Sequence, residues 1–312
     1  MISIITPCNN LKDYIHSTYK SIVAQTIKDW EWIIVDDAST DNTVEIIRSF
    51  GDPHIKLVQW EFNTGNLSIL RNKGAQMASG DFLAFLDGDD ICEPERLKQQ
   101  VDFLEKYPEA GWCHSNVRLL QDETGILQPR QQPLPNQPIF LADEALPILL
   151  RKNYVYISSV MVRRKVFMAI GGFDEDFNRC EDIDMWLRLC AHGYSMGYLA
   201  QPLLQYRIRQ SGLFSSRNLE YLAKNFEVYA KFKKSTPELY ARHELIIRNY
   251  LSDNYLKIAI QMTGQKKKGT ISHFRNAFML APSVKKAVWL LAAVISPGLI
   301  RNYLSKKIET IV

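Results

Sequence analysis

Short apolar runs alternate with longer stretches of helical periodicity over about the first 110 residues of the chain. Apolar side chains fill the runs without a break, whereas in the longer stretches they recur every three to four residues. The runs predict strands over residues 2–6, 31–35, 55–60 and 82–86. The longer stretches predict helices over residues 11–25, 43–50, 68–77 and 94–107. Such alternation is typical of βαβ units around a parallel sheet, so we expect an α/β fold.

The pattern changes in the rest of the chain. The stretch Gln121–Pro138 is rich in Gln, Pro and Asn, which predicts a long loop. A helix over residues 142–150, a strand over residues 158–163 and a helix over residues 182–191 are then expected. Beyond Ser211 we expect helices alone, over residues 218–232, 238–262, 272–280, 284–295 and 299–311. We therefore expect an α/β domain over residues 1–215, with halves of about 1–110 and 111–215, and a helical region over residues 216–312.

Composition points to a globular protein. Hydrophobic residues make up 46% of the 312 residues and charged residues 23%, as is usual for soluble domains. The five cysteines are scattered and form no C-x-x-C pair, which argues against a zinc site or a disulfide framework. The first residues lack the basic and long apolar segments of a signal peptide. We therefore expect a reducing, cytoplasmic compartment.

The charge is unevenly distributed. From Gly264 onward there are nine Lys or Arg residues and one acidic residue, Glu309, which leaves 29 basic and 33 acidic residues in the remainder. The apolar run Ala287–Ile295 is far shorter than the roughly 20 residues of a membrane span. Its basic flanks, with Trp289 and Tyr303, suit a helix lying on an anionic membrane surface, although a cap packed on the α/β domain is the alternative. Nucleic acid is a poorer partner, since basic and stacking residues do not interleave in the first half.

The run Gly80–Asp90 carries the most distinctive chemistry. A strand-like segment ends directly at Asp87, Asp89 and Asp90, and carboxylates this close together repel one another. A divalent cation such as Mg²⁺, bridging to a substrate phosphate, would relieve that repulsion. The alternative is a polar turn, because Asp and Gly are common turn residues.

Two other predicted strands also end in polar side chains. Pro7–Asn10 follows the first strand, and Asp36 and Asp37 follow the second. The carboxyl ends of parallel strands form a ligand crevice, so we expect one site built from all three strand ends. Asp37 is suited to accept a hydrogen bond from a nucleobase or ribose, whereas a helix cap alone needs only Asp41.

Further candidates lie outside these strand ends. Glu181, Asp182 and Asp184 begin a predicted helix, where capping is one explanation of the acidic residues. Asp182 precedes the buried Ile183, however, and a carboxylate so placed suits a general base for a hydroxyl nucleophile. Arg71 is either a bidentate ligand of a base or phosphate or a solvated helical residue. The loop Arg207–Ser216 suits closure over a diphosphate, although an exposed basic loop is the alternative.

Taken in order, four segments resemble those of the family 2 glycosyltransferases, and together they cover roughly the first 215 residues: SIITPCNN, SIVAQTIKDWEWIIVDDASTDNT, RNKGAQMASGDFLAFLDGDD and GGFDEDFNRCEDIDMWLRL. The resemblance implies the GT-A fold, an αβα sandwich with a Rossmann-like nucleotide-binding half. It also implies an inverting transfer from a nucleoside-diphosphate sugar to a hydroxyl, aided by Mg²⁺ or Mn²⁺.

The resemblance also implies roles for individual residues. Asp182, supported by Glu181, would be the base that deprotonates the acceptor. The residues that would bind the nucleotide-sugar are Pro7, Asn9, Asp37, Arg71, Asp87, Asp89 and Arg209. Asp87 and Asp89 form the DxD signature that holds the metal, with Asp90 as an additional candidate ligand.

Three features depart from the family pattern. An aromatic residue is common where Asn9 stands, and a metal-ligating His where Arg209 stands, so Arg209 is expected to meet the diphosphate directly. The Gln-x-x-Arg-Trp motif of processive synthases is absent. A single-transfer enzyme of surface polysaccharide or lipid-linked glycan synthesis is therefore expected, acting on a saccharide or lipid-linked acceptor at the inner face of the membrane.

Two other functions fit parts of the pattern. A sugar-1-phosphate nucleotidyltransferase would need a glycine-rich basic loop after the first strand, where the chain has Pro7-Cys-Asn-Asn-Leu. A non-catalytic module that binds a sugar nucleotide or glycan would not need Asp182 beside Asp87 and Asp89.

Overall fold

The alternating pattern of the first half forms βαβ units in the computed structural model, which describes residues 1–130, 134–135, 137–209, 219–264 and 269–295. One compact unit comprises Met1–Leu149 and Asn153–Gly212, and a second comprises Leu150–Lys152 and Leu213–Val312. The strands are β1 (Ile2–Cys8), β2 (Trp30–Asp36), β3 (Ile55–Gln59), β4 (Phe82–Phe85), β5 (Ile91–Cys92), β6 (Ala110–Gln121), β7 (Leu127–Pro129), β8 (Ile139–Phe140), β9 (Val160–Arg163) and β10 (Ser195–Ile208). The helices are α1 (Ile15–Val23), α2 (Thr43–Ser49), α3 (Leu67–Met77), α4 (Arg96–Lys106), α5 (Ala142–Arg151), α6 (Arg164–Ala169), α7 (Glu181–Ala191), α8 (Leu219–Ser235), α9 (Pro237–Arg242), α10 (Glu244–Gly264), α11 (Thr270–Leu280) and α12 (Val284–Ile295).

The strands form one mixed sheet. Its order is β3-β2-β1-β4-β9-β6-β10-β5, with β7 paired to β6 and β8 paired to β10. The first four strands are parallel, β4 and β9 are antiparallel, and β6 and β10 are parallel. The carboxyl ends of β1, β2 and β4 therefore lie at one edge of the sheet, as the sequence predicts.

Two of the parallel strands, β1 and β2, are buried along their whole length. Every residue of β1 and β2 is buried, which explains why they appear as unbroken apolar runs rather than as alternating ones. Trp32 donates a hydrogen bond from Nε1 to Oγ1 of Thr6 at 2.8 Å, so this indole N–H is paired within the layer. The edge of the sheet is thus fixed by a rigid core.

Two long strands were not expected from the sequence. β6 contains the polar run His114-Ser-Asn116, and β10 contains Pro202, where the register shifts against β6. Polar residues and an internal proline both weaken the apolar pattern of a strand. The predicted loop Gln121–Pro138 is wrong in its first part, because β6 extends to Gln121 and β7 pairs back onto it.

Other boundaries differ less. The strand predicted over residues 158–163 begins with a 3₁₀ turn at Ile157–Ser159 and continues as β9. In the second unit, the helix predicted over residues 238–262 is divided into α9 and α10. The helix predicted over residues 299–311 lies outside the described residues.

The second unit has its own small core. Phe274 and Ala277 of α11 are fully buried against Leu256 and Ala259 of α10, and Trp289 of α12 packs on this cluster. Of the helices that the structure describes, none is both long enough and apolar enough to cross a bilayer.

Candidate functional site

The acidic turn Asp87–Asp90 follows β4 at the carboxyl edge of the sheet. The Asp87 N–H donates to Oγ of Ser158 at 2.9 Å, and the Thr18 hydroxyl lies 2.9 Å from the carbonyl oxygens of both Gly88 and Asp90. A Cβ atom on Gly88 would lie 2.6 Å from Cδ1 of Leu11, so the turn approaches its neighbours as only glycine permits. The fold therefore holds the carboxylates in a fixed position.

Two arginines from the end of β10 bind this turn. The backbone N–H of Arg207 donates to Oδ1 of Asp90 at 2.8 Å, and its Nε donates to the Asp89 carbonyl oxygen at 2.8 Å. The guanidinium of Arg209 forms an ion pair with Oδ2 of Asp89 at 2.8 Å. Both guanidinium groups lie over the Tyr14 ring, at 5.1 and 5.0 Å from its centroid. Arg209 is thus adjacent to the carboxylate of the expected metal ligand.

The three carboxylates of the turn are not equivalent. The side chains of Asp87 and Asp89 are 28% and 15% exposed, whereas Asp90 is 1% exposed. Burial and the neighbouring Asp89 and Asp87 carboxylates raise the pKa of Asp90 well above its usual value. Asp87 and Asp89 are therefore the carboxylates of the turn that solvent can reach, whereas Asp90 is buried.

Arg71 links this turn to the start of α7. Its side chain is 1% exposed, and its guanidinium donates to Oδ1 of Asp87 at 2.8 Å and to Oε1 of Glu181 at 2.6 Å. Phe173 packs on it, with the ring centroid 5.6 Å from Cζ. The alternative of a solvated helical residue is therefore wrong for Arg71, whose guanidinium joins two carboxylates of the site.

Asp182 lies beside that link. Cys180, which precedes α7, has φ of +61°, a conformation that non-glycine residues seldom adopt. The Asp182 Oδ1 accepts from the Ile183 N–H at 2.8 Å, and Oδ2 accepts from Nδ2 of Asn153 at 2.7 Å. Both carboxylate oxygens are thereby oriented.

The protonation of Asp182 is also tuned. Burial, and then the negative charge of Glu181, raise the pKa of Asp182 to about 7, while the bonds from Ile183 and Asn153 and the charge of Arg71 oppose that rise. A general base works best when its pKa lies near the operating pH. The carboxylate that the sequence singles out is therefore chemically suited to accept a proton.

The nucleoside residues predicted from the sequence lie across the same edge. Oδ1 of Asp37 accepts from the Thr64 N–H and Oδ2 from the Gly65 N–H, at 2.8 and 2.9 Å. Asn9 donates from Nδ2 to the Asp37 carbonyl oxygen at 2.7 Å. Pro7 belongs to β1 next to Val35 of β2. Asp37 thus joins the end of β2 to the loop before α3.

Comparison with known proteins agrees with this arrangement. A family model described as Glycosyl transferase family 2 matches residues 3–171, which is more than half of the chain. The chain belongs to glycosyltransferase family 2. A second model, Glycosyl transferase family group 2, matches residues 155–296.

Two relatives, from different bacteria, are similar to this glycosyltransferase over more than two thirds of its length. EpsE of Bacillus subtilis (strain 168), a provisionally named glycosyltransferase, is 32% identical over 72% of this chain and 78% of its own length. The UDP-Glc:α-D-GlcNAc-diphosphoundecaprenol β-1,3-glucosyltransferase WfgD of Escherichia coli is 26% identical over 84% of this chain and 94% of its own length.

The fold expected from the resemblance is confirmed. The S. aureus TarS 1-349 structure in complex with UDP-GlcNAc superposes with a TM-score of 0.69, at 17% identity, over 98% of this chain and 87% of that one. The glycosyltransferase therefore has the GT-A architecture, with helices after the mixed sheet.

The donor set of the acidic turn fits a divalent cation. Asp87 and Asp89 each bind an arginine through one carboxylate oxygen, which leaves the second oxygen of each as a ligand. Burial, and then the Asp87 carboxylate, raise the pKa of Asp89, as expected where negative charge is in excess. Within the described ranges no group of three or more His, Cys, Asp or Glu side chains is arranged to hold a metal ion. A cation here would need substrate phosphate oxygens, as Mg²⁺ commonly does.

The segment between α5 and β9 also contributes to the site, although its residues were not among the candidates predicted from the sequence. Within a few residues, Asn153 binds the Asp182 carboxylate, Tyr156 packs on Tyr206, and Ser158 accepts from the Asp87 N–H. The segment therefore connects the candidate base, Asp182, with the acidic turn Asp87–Asp90. Closely spaced Asn, Tyr and Ser residues are a signal that this segment could belong to a polar site. The sequence does not show, however, that they contact both Asp182 and the acidic turn.

Proposed function

We propose that the enzyme is an inverting, metal-dependent glycosyltransferase that moves a sugar from a nucleoside-diphosphate sugar to an acceptor hydroxyl. The observation that carries this proposal is the path Asp87–Arg71–Glu181, which joins the donor carboxylates to the residue next to Asp182. Donor binding and proton removal would then take place in one rigid arrangement at the edge of the sheet.

Asp87 and Asp89 would hold Mg²⁺ or Mn²⁺, and Asp37, Asn9 and Pro7 would line the nucleoside pocket. When bound, the cation offsets the negative charge that develops on the leaving diphosphate. The guanidinium of Arg209 lies beside Asp89 and would bind a diphosphate oxygen. Arg71 would act on the donor through Asp87, because both terminal nitrogens of its guanidinium bind carboxylates.

Asp182 would take the proton from the acceptor hydroxyl as the oxygen attacks the anomeric carbon. A base on the face opposite the leaving diphosphate gives inversion, because a single displacement reverses the configuration at that carbon. The pKa of about 7 for Asp182 supports this role, since a substantial fraction of the carboxyl is ionised at neutral pH. Glu181 would support the base by fixing Arg71.

The acceptor is proposed to be a saccharide or lipid-linked glycan of surface polysaccharide synthesis. The relative WfgD acts, by its name, on a sugar carried by diphosphoundecaprenol. We propose a catalytic domain over residues 1–215, a helical region over residues 216–312, and a cytoplasmic location at the inner membrane face.

The exposed side chains of α12 support the membrane part of this proposal. Leu291 and Val294 are 57% and 58% exposed, and Lys285 on the same helix is also exposed. Apolar residues next to basic ones suit the headgroup region of an anionic membrane. Sedimentation with anionic vesicles tests it: replacing Leu291 and Val294 by Ser should reduce binding, and unchanged sedimentation would contradict the surface role.

A non-catalytic binding module is the second candidate. It would need the donor carboxylates but not an oriented base, so the two hydrogen bonds to Asp182 favour the enzyme. Family membership disfavours a nucleotidyltransferase.

A thermal-shift screen of nucleoside diphosphates and their sugars, with Mn²⁺ or with chelator, tests the donor half. We expect nucleoside diphosphates of one nucleobase to stabilise the protein most. Asp89→Ala should lose the stabilisation by the preferred nucleotide only when Mn²⁺ is present. A loss of the same size in chelator would contradict the metal role, and no response to any of the ligands would contradict the proposed function.

A further inference from the structure

Arg130 is a partly buried cation without a carboxylate partner in the part of the chain that the structure describes. It follows β7, and its Cζ atom lies 4.5 Å from the centroid of the Tyr156 ring. Burial lowers the pKa of Arg130, and the opposing influences come from the tyrosines Tyr206 and Tyr154 rather than from an acid. A desolvated guanidinium that no carboxylate neutralises favours binding of an anion.

Other arginines near the site differ in this respect. Arg71, Arg207 and Arg209 each form an ion pair with at least one carboxylate. Their charge is therefore already balanced within the protein. Arg130 is held in place by an aromatic ring instead, an arrangement that leaves its N–H groups available to an incoming oxyanion.

The Tyr156 ring beneath Arg130 packs on a second tyrosine, Tyr206, which lies toward the acidic turn and Asp182. The centroids of Tyr156 and Tyr206 are 4.6 Å apart, with their planes at 54°. The pKa of the Tyr206 hydroxyl is raised well above its usual value, by burial first and then by four carboxylates: Asp90, Asp87, Asp89 and Asp182. Tyr206 therefore lies close to both the donor carboxylates and the candidate base.

Two residues near Tyr156 in the chain bind the candidate base and the acidic turn, so this pair of tyrosines lies beside both. Three residues before Tyr156, Asn153 binds the Asp182 carboxylate, and two residues after it, Ser158 binds the Asp87 backbone. An acceptor whose hydroxyl reaches Asp182 must extend over neighbouring surface. Tyr206 is only partly buried, unlike Tyr156, and an aromatic side chain suits the apolar face of a sugar ring.

We propose that Arg130 and Tyr206 form an acceptor subsite, supported from beneath by the buried Tyr156, that binds a sugar ring beside Tyr206 and an oxyanion of the same acceptor on Arg130. This inference rests on the proposed glycosyl transfer and adds the chemical class of its acceptor, an anionic saccharide. The oxyanion is a phosphate of a lipid-diphosphate linkage or the carboxylate of an acidic sugar. A neutral acceptor would leave the guanidinium desolvated and uncompensated.

Binding of matched acceptor probes tests the subsite. Two pairs of soluble probes are titrated by calorimetry: octyl N-acetylglucosaminide against its octyl-diphosphate-linked counterpart, and octyl glucoside against octyl glucuronide. Saturating Mn²⁺ and the nucleoside diphosphate selected by the thermal-shift screen occupy the donor site, so a probe phosphate cannot bind there.

We expect one anionic probe to bind the wild type more tightly than its neutral counterpart, and the successful pair identifies phosphate or carboxylate as the source. Arg130→Gln should weaken that probe about tenfold or more, because a hydrogen bond to a charged group contributes about 1.5 kcal/mol or more. Its affinity for the neutral probe and for the nucleoside diphosphate should not change. Arg130→Lys should recover part of the loss, since Lys keeps the charge without the bidentate geometry.

Arg48→Gln is the matched control, because it removes one positive charge from α2, where Arg48 bonds Gln59 and is exposed. Equal affinity of the wild type for anionic and neutral probes would overturn the subsite, as would a loss in Arg130→Gln that is the same for both. Failure of the wild type to bind any nucleoside diphosphate would instead overturn the proposed function. The two failures are thus distinguishable.

Discussion

Asn153 donates a hydrogen bond from Nδ2 to Oδ2 of Asp182 at 2.7 Å. The Asn153 Oδ1 accepts from the Val155 N–H at 3.0 Å, which fixes the amide so that its NH₂ group faces the carboxylate. This contact comes from a segment 29 residues earlier in the chain. It stabilises the ionised form of Asp182, which is the form that a general base requires.

Asn153→Ala should move the acid limb of the pH–rate profile upward. Burial and Glu181 raise the pKa of Asp182 to about 7, and the Asn153 bond opposes that rise. A bond to a charged group contributes about 1.5 kcal/mol, and about 1.4 kcal/mol corresponds to one unit of pKa. We therefore expect the midpoint of log kcat against pH to rise by about one unit, with the rate recovering at high pH.

Asp52→Ala is the control for Asn153→Ala. Asp52 Oδ1 accepts from the His54 N–H two residues on, as Asn153 accepts from Val155, but it precedes β3, at the end of the sheet away from the site. Its profile should keep the wild-type midpoint. An Asn153→Ala midpoint equal to that of the wild type would show that the contact does not tune the base.

Arg71→Met should reduce both stability and catalysis. It would leave the carboxylates of Asp87 and Glu181 without the cation that they share in the buried site. Breaking a buried ion pair in this way reduces the free energy of unfolding by about 3–5 kcal/mol. Urea unfolding measures that loss, and steady-state kinetics at a temperature where the variant is folded should show a higher KM for the donor and a lower kcat.

Arg96→Met separates the two effects of Arg71→Met. Arg96 is also fully buried, but it bonds two backbone carbonyl oxygens, Gln100 and Cys92 rather than carboxylates. It should lose stability while keeping the wild-type donor KM. If Arg71→Met also kept that KM and the wild-type kcat, then Arg71 would serve the fold alone.

Arg209→Ala should have opposite effects on the cation and on the nucleotide. Because Arg209 pairs with Oδ2 of Asp89 at 2.8 Å, its removal frees a carboxylate oxygen and should tighten binding of Mn²⁺ alone. The same change removes a charge next to the expected diphosphate position and should weaken nucleoside-diphosphate binding about tenfold. Calorimetry with each ligand measures the two effects.

Arg209→Lys is the matched variant, since it keeps the charge and should give a smaller change in both titrations. Weaker Mn²⁺ binding in Arg209→Ala would indicate that the arginine supports the cation rather than competing with it.

The parts of the fold that the sequence predicts are those whose side chains share one environment. β1 and β2 are buried on both faces and therefore consist of unbroken apolar runs. β6 and β10 carry polar residues and a proline inside the sheet, so their pattern does not indicate strands. The pairing of β6 with β10 supplies what their own sequences do not show.

The same distinction applies to the site. Asp87 and Asp89 follow a strand directly, so the order of elements places them at the crevice. Arg71 meets Glu181 across 110 residues of sequence. The position of Arg130 over Tyr156 depends in the same way on the hairpin of β6 and β7. Local periodicity carries no information about such contacts, because they arise only when distant elements pack.

Transfer by Asp182→Asn is the most direct test of the central claim, which is that the acidic turn binds the donor while Asp182 removes the acceptor proton. Asparagine has a similar shape but cannot take up the proton. We predict unchanged Mn²⁺-dependent binding of the donor nucleotide by calorimetry and a loss of kcat of about a hundredfold or more, as is typical for a general base. Wild-type kcat in this variant would contradict the assignment of the base.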